Sequence, residues 1–431
     1  MMTQSKYRWF VVGVFFVFML LHQTDRLLIG PLTTPIMAEF KINRAQMGFV
    51  TSGALLVNAI FYPVWGYLFD RYARAKLLAL ASFLWGATTW LSAIAPTYPA
   101  FVASRASTGV DDSSYPGLYS LVTDYFIPKV RGRVYGLLEL TAPLGFLLGT
   151  LLGLLLGGVI GWRGVFYFTG ALGMLVAVVI FFGVREPVRG QSEPEMADLA
   201  HVTTVKFDWN AAKGLFGKRS LQILFIQGFF GVFPWNVITY WFFNYLETER
   251  GYEQNAVFMT MVVAVLVLAI GYPLGGWLGD LAFKRTPRGR ALVAMTGVLM
   301  GALLFFITMN IPEQKQGLFL VMLALSALFI PIAAPNVVST VYDVTLPEVR
   351  STALSVQYFI ESSGAALAPG IAGLIADQST LKTAFLLICI STWLLCGLFF
   401  ALVAYFVPKD VDTLRGQMRR RAEEQASQSG A

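Results

Sequence analysis

Charge is what this chain has least of. Asp, Glu, Lys and Arg make up 13% of its 431 residues, while 56% are hydrophobic. Soluble domains carry about 25% charged residues, so there is too little polar surface here to cover a soluble core of this size. Cysteine is nearly absent. Cys389 and Cys396 sit in one apolar run, two helical turns apart and beyond disulfide reach, which excludes a disulfide framework and leaves the redox compartment open. Histidine occurs twice, as His22 before Gln23 and His201 before Val202, so there is no HExxH zinc motif. No GxSxG and no Walker loop occur, which excludes the serine-hydrolase elbow and self-powered ATP-driven pumping. The Tyr342-Asp343 pair resembles aspartyl intramembrane proteases, but the matching Gly-x-Gly-Asp fails at Trp277. No metal, cofactor or catalytic residue is expected.

What is present is long and apolar. A helical span needs about 20 largely apolar residues, and twelve such stretches occur. In the first part of the chain they lie near 9–38, 45–69, 77–95, 99–127, 134–160 and 163–184. In the second they lie near 221–246, 255–280, 291–311, 317–345, 351–376 and 381–407. No small-residue cleavage site follows the first run, so it reads as a retained helix. Of 32 Lys and Arg, 24 fall on the side of the termini, six on the other side, and Arg26 and Arg105 inside spans. By the positive-inside rule both termini are cytoplasmic, in the plasma (inner) membrane. The net charge of +7 is therefore topological and does not point to nucleic acid. The expected partners are the bilayer, a small solute and protons, and the expected state is a monomer.

The chain divides into a six-helix half (1–184), a polar linker (185–220), a second six-helix half (221–407) and a tail (408–431). The linker ends in KFDWNAAKGLFGKRS, read as a short amphipathic helix on the inner surface. The tail reads as partly helical, solvated and more disordered than domain-like. DYFIPKVR from Asp124 and DVTLPEVR from Asp343 share Asp, Pro, Val and Arg in register, and GYLFD at 66–70 echoes GWLGD at 276–280. Two such echoes at similar offsets predict an all-α membrane protein of two pseudo-symmetric halves with a site between them. At the cytoplasmic ends, Gly66, Asp70, Arg71, Arg74, Asp280, Asp124, Arg131, Asp343 and Arg350 either latch one conformation or only signal topology. Asp124 is expected to anchor Arg131, and Asp343 to anchor Arg350.

Charges inside the membrane are the functional candidates. The run from Phe10 to Leu21 is too short to cross a core of about 30 Å, so the first span continues through His22, Asp25 and Arg26. The fourth span must likewise include Arg105, Asp111 and Asp112. An ionised group at that depth costs about 2.5–3.5 kcal/mol, so it faces a partner or a wet cavity. Arg105 and Asp112 lie two turns apart on one helical face and Asp111 about 100° away, which assigns Asp112 to the cavity and leaves Asp111 open. Pro116 loosens the helix nearby. Asp25 and Asp112 either carry the coupled proton or pair statically with Arg26 or Arg105. His22 either relays protons or serves as a hydrogen-bonded bundle residue. Glu139 and Glu361 either line the cavity or pack helices.

GYLFDRYARAKLL at 66–78 resembles the cytoplasmic loop motif of the major facilitator superfamily, Gly-x-Leu-x-Asp-Arg-x-Gly-Arg, with Ala73 replacing a glycine. The resemblance implies the twelve-helix, two-half fold across the whole chain and a transporter rather than an enzyme. Within it, Arg105, Gly109, Asp111, Asp112, Ser113, Ser114 and Tyr115 resemble the Arg-x-x-x-Gly-x-Gly-Glu-Ala-Ser-Tyr of the Spinster-like branch. Asp25-Arg26, Pro143 with Gly145, and REPVRG at 185–190 resemble further features of that branch. Asp111 stands where glycine is usual, Asp112 where glutamate is usual and Glu139 where an aromatic is common. Proton-coupled organic-anion symporters share the Asp-Arg and Arg-x6-acid pattern.

The second half supplies a wall. Trp235, Asn236, Tyr240, Asn336, Gln357, Tyr358 and Glu361 offer stacking and hydrogen bonds, although an aromatic stripe also serves lipid contact or packing. With Arg26, Arg105, Ser114 and Tyr115 they form the candidate substrate site. No Lys, Arg or His falls inside a second-half span, whereas phosphate exchangers of this fold resemble one another in offering an arginine from each half. The expected activity is proton-coupled secondary transport of a small amphipathic or organic-anion solute, Spinster-like and open to lysolipids. An organic-acid or sugar-acid:proton symporter is the alternative, and a membrane sensor or enzyme a distant one.

Overall fold

The structure, a computed structural model, describes residues 4–42, 44–194 and 208–429, and every regular element in them is helical. Residues 195–207 of the linker and 430–431 of the tail lie outside the described residues.

Six spans form the first half. The first span is Gln4–Leu27 and Ile29–Phe40, the second Arg44–Arg71 and the third Arg74–Ile94. The fourth is broken into Tyr98–Ser107, Gly109–Asp112 and Tyr115–Thr123. The fifth begins as Pro128–Glu139 and runs on into Thr141–Gly183, which Gly161 (φ 70°, ψ 163°) divides into the fifth and sixth spans. That φ suits glycine and few other residues.

The second half holds Arg219–Thr248, Gln254–Phe283, Gly289–Met309, Gln316–Phe329 with Ala333–Asp343, Arg350–Gln378, and Leu381–Phe385 leading into Ser391–Ser429. Ten stretches of the described chain are long and apolar enough to cross a membrane. The protein is an all-α membrane protein of two six-helix halves.

The halves meet along two seams, second span against eleventh and eighth against fifth. A two-fold axis relating span n to span n+6 exchanges these seams, as the sequence echoes predict. Each seam is close because a glycine of the echoed motif faces it. A Cβ on Gly66 would lie 2.6 Å from Ser355 Oγ, and one on Gly276 would strike the Gly132 carbonyl.

Contacts sort the helix ends into two faces. On one, Tyr7 Oη donates to Gly183 O (2.9 Å) and Ser220 N to Asp410 (3.1 Å). On the other, Arg163 pairs with Glu39 (2.7 Å) and Arg250 donates to Ile311 O (3.1 Å). The start of the first helix and the continuation of the last helix past Pro408 belong to the first face.

Of the two connecting segments, the tail differs from expectation. The linker helix covers Trp209–Gly214 with one tight turn, Leu215–Gly217. Ala212 and Leu215 are buried while Trp209, Asn210, Lys213 and Phe216 are exposed, so its open side mixes aromatic and polar side chains. The tail is no loose end. The last helix continues through Pro408 to Ser429, with Val411, Leu414 and Met418 buried and Arg421 on Glu348 (2.5 Å). Composition hid this, because the 411, 414, 418 spacing makes one apolar stripe within a polar run.

Candidate functional site

The fourth span tightens where its charges lie. Pro116 has no N–H to donate, and Ser114 N and Gly117 N each bond a carbonyl three residues back (3.0 and 3.1 Å). Between Arg105 and Asp112, Thr108 N likewise bonds the Arg105 carbonyl three residues back (3.3 Å), so the two stand on separate helical pieces and not on one regular helix, and they form no ion pair. Arg105 turns to Asp25 (3.5 Å) and covers the Phe166 ring. Asp25 also accepts from Thr89 (3.2 Å) and Thr169 (2.5 Å), so this buried carboxylate is fully engaged by three helices.

A second cluster forms beside it. His22 Nε2 lies 2.8 Å from Asp111 Oδ2 and 3.3 Å from Asp112 Oδ1, and His22 Nδ1 lies 2.8 Å from the Tyr115 hydroxyl. Phe18 stacks on the imidazole and Trp85 meets it edge-on. Asp111, which the sequence left open, is thus the closest carboxylate to His22, and its Oδ1 is buried without a hydrogen-bond partner. One donor atom from each of His22, Asp111 and Asp112 falls within 4.8 Å of the others. Such a set suits a shared proton or a cation, and Arg26 beside Asp112 opposes the cation.

Arg26 opens into a cavity of about 370 Å³ between the halves. It is the one charged side chain in that wall among the described residues, and no carboxylate lies within 4.0 Å of it among them; its strongest electrostatic neighbour is Asp112. Gln23, Trp235 and Asn236 share the wall with Phe146, Phe242 and Phe243. A smaller cavity of about 250 Å³ adjoins it through Trp235, Leu268, Ile330 and Trp393, and holds Glu139, Tyr358 and Glu361. Tyr119 donates to Glu139 (2.6 Å), Gln357 to Glu361 (2.7 Å), and Tyr358 packs on Tyr62 (ring centroids 5.6 Å apart).

Six substrate-site candidates line neither cavity: Tyr115, on His22, Gln357, on Glu361, and four more. Tyr240 is 66% exposed and lines neither cavity. Asn336 is buried and donates to Gly275 O (2.9 Å) and Ile332 O (2.8 Å), fastening the tenth span to the eighth. Ser114 is buried and lines neither cavity, and Arg105 is committed to Asp25.

The face bearing the termini is latched twice, with matching parts. Asp70 caps the eleventh span, accepting from Ser351 N (3.0 Å) and Thr352 N (2.7 Å). Asp280 does the same near the start of the fifth, at Gly132 N and Arg133 N (both 2.9 Å). A carboxylate at a helix N-terminus meets unpaired N–H groups and the positive end of the dipole. Arg74 pairs with Asp124 (2.6 Å) as Arg290 pairs with Asp343. The expected Asp124–Arg131 and Asp343–Arg350 anchors do not form; Arg350 reaches across to Asp124 (3.3 Å). Arg71 stays exposed on the Tyr67 hydroxyl, outside the latch.

Glu193 in the linker joins the two repeats, bound by Arg131 (2.6 Å) and by Arg350. Burial pushes its carboxyl up, but the two guanidiniums outweigh burial and hold it down at about 2. Just before it, Glu186 binds Arg74 (2.8 Å), Arg189 donates to Phe69 O (2.6 Å) and Gly190 N donates to Asp124 (2.9 Å). Nothing periodic marks Glu193 in the sequence. Arg290 was findable, since it stands 216 residues after Arg74, near the offsets of the other echoes.

A bundle of this kind, with two repeats meeting along two seams and a largely apolar cavity between them, defines a membrane transporter and not an enzyme. The Major Facilitator Superfamily profile matches residues 14–315, and the chain belongs to that family. It is 28% identical over 383 residues to the protein spinster of Drosophila melanogaster, covering 86% of this chain and 62% of that longer protein. It is 26% identical over 411 residues to the cis,cis-muconate transport protein of Acinetobacter baylyi, covering 92% of this chain and 95% of the relative. Among solved structures, the Escherichia coli fucose:proton symporter superposes with a TM-score of 0.72 at 14% identity, over 93% of this chain and 99% of that one. A bacterial homolog of the human lysosomal transporter Spinster, inward-facing and unoccupied, superposes with a TM-score of 0.58 at 20% identity, over 95% and 98%. These structures share the fold.

Proposed function

We propose that the protein is a proton-coupled secondary transporter that moves a singly charged, amphipathic organic anion by alternating access. The observation that carries this reading is Arg26, a lone cation in an otherwise uncharged cavity wall. An anionic head meets its guanidinium, and an apolar body meets Trp235 and the phenylalanines. A doubly charged phosphate would find no second arginine across the cavity. The muconate relative supports an organic acid, and a compact organic or sugar acid held by Gln23 and Asn236 is the second reading.

The coupled proton belongs on His22, Asp111 and Asp112. Asp112 and Arg26 attract each other. An anion on Arg26 weakens that attraction and leaves two carboxylates around one imidazole, which a proton relieves. Anion and proton therefore support one another's binding, and by linkage the support is mutual. This favours symport. Asp25, saturated by Arg105 and two threonines, fits static pairing better than proton carriage. The Lys and Arg asymmetry supports cytoplasmic termini, so the latches shut the cytoplasmic side and the route from the cavity leads outward. The protein acts as a monomer in the plasma (inner) membrane.

The test is anion binding by tryptophan fluorescence on the purified chain, with muconate, a medium-chain fatty acid and a lysophospholipid as probes. At low pH the wild type is expected to bind its preferred anion about 5- to 150-fold tighter than at high pH. Asp112→Asn should lose this pH dependence, and Arg26→Gln should lose binding at both pH values. Equal pH dependence in Asp112→Asn sinks the coupling, and undiminished binding in Arg26→Gln sinks the anion site.

A further inference from the structure

The last helix carries one continuous face from the lipid into the interface. Leu394, Leu398, Leu402 and Tyr405 are exposed on it, and the same face goes on through Lys409, Thr413, Gly416 and Arg420. Steps of three and four residues keep these positions in one line. Beside the polar part, Arg288 from the loop between the eighth and ninth spans closes a groove of about 910 Å³.

The cations of this groove differ from the latch arginines nearby. Arg74, Arg131, Arg290 and Arg350 are buried and paired. Arg288, Lys409 and Arg420 are exposed, and among the described residues none has a carboxylate within 4.0 Å. Asp412 offsets one of the three charges. An uncompensated cationic groove directly beneath an aromatic residue at the end of a span lies at headgroup depth.

We propose that this groove binds the headgroup of an anionic phospholipid, whose acyl chains lie along the leucine face. Charge complementarity selects the anion, and continuity with the lipid-facing leucines selects a lipid over a free ion. From Lys409 to Leu394 the helix rises about 22 Å, which exceeds the half-thickness of a bilayer core, about 15 Å. The acyl chain therefore meets apolar side chain along its whole length. The site is independent of what the central cavity carries.

Native mass spectrometry of the full chain in detergent, titrated with phosphatidylglycerol or phosphatidylcholine, tests this. Basic side chains near a membrane surface contribute about fivefold each to anionic-lipid affinity. The triple variant Arg288→Gln/Lys409→Gln/Arg420→Gln should therefore bind phosphatidylglycerol on the order of 100-fold more weakly than wild type. It should melt at the wild-type temperature in phosphatidylcholine. The control Lys76→Gln/Lys129→Gln, exposed on the same face, should keep wild-type affinity. The proposal is overturned if the triple variant binds phosphatidylglycerol as wild type does, or if the control loses as much. It is also overturned if inorganic phosphate protects against heat as well as phosphatidylglycerol, or if the groove is filled by a second copy of the chain.

Discussion

Among the described residues, the inner spans of the first half carry His22, Asp25, Arg26, Arg105, Asp111, Asp112 and Glu139. The second half sets an aromatic and amide wall opposite them, with Glu361 as its acidic member. At the face of the termini the two halves are nearly copies, Asp70 matching Asp280 and Arg74 matching Arg290. The difference teaches where symmetry is useful. In the cycle proposed above, a rocking motion needs equivalent fastenings on both sides of its axis, whereas coupling needs the proton and the substrate close together, and one half suffices for that.

The largest expected effect would break the symmetric part. Arg350→Leu leaves Asp124 and Glu193 short of a guanidinium in a buried setting, a change that costs about 3–5 kcal/mol. Cysteine cross-linking between the second and eleventh spans should fall sharply, and Arg131→Leu should lower it to a similar degree. A much weaker effect of Arg131→Leu would end the claim of equivalence.

Asp25→Asn and Asp112→Asn sharpen the asymmetric part. Asp25→Asn strands buried Arg105, again about 3–5 kcal/mol, and should lower the melting temperature by several degrees. Asp112→Asn should spare the melting temperature and abolish proton-driven uptake in proteoliposomes. Melting curves and uptake measured together would reveal a reversal of these roles.

A pH effect follows from Glu193. Its folded value is depressed to about 2 from 4.5, so its contribution to stability is complete above the unfolded value and is lost as pH falls through about 2. Melting temperature should drop between about pH 4.5 and 2, and Glu193→Gln should flatten that drop. A slope unchanged in the variant would assign acid sensitivity to other groups.

The smallest contrasts lie on the wall. Trp235→Ala should weaken substrate affinity by about 1.5–3 kcal/mol, the worth of one buried large side chain. Tyr240→Ala should change it by under about 0.5 kcal/mol. Equal losses would return Tyr240 to the cavity.

Spans and two-fold repeat were legible because bilayer length and helix periodicity act on every residue of a span. The charges in the first and fourth spans were legible because each violates the apolar rule. Their pairing was not. A regular helix puts Arg105 and Asp112 on one face, and the tight turn at Thr108 between them breaks that regularity. Asp111 could not be assigned because its partner, His22, comes from another helix 89 residues away. The tail was misread because composition averages over the three residues that bury it. Glu193 was missed because a strap held by hydrogen bonds needs no periodicity.

That strap has a further consequence. Glu193 reaches its two arginines from a chain that leaves the sixth span only ten residues earlier, at Gly183. It therefore behaves as a tethered ligand whose effective concentration at the two arginines is in the millimolar range or above. If the latches are the gate proposed above, the linker competes against opening, and inserting glycine and serine between Gly183 and Arg185, ahead of the Glu186, Arg189 and Gly190 contacts, would dilute that competitor.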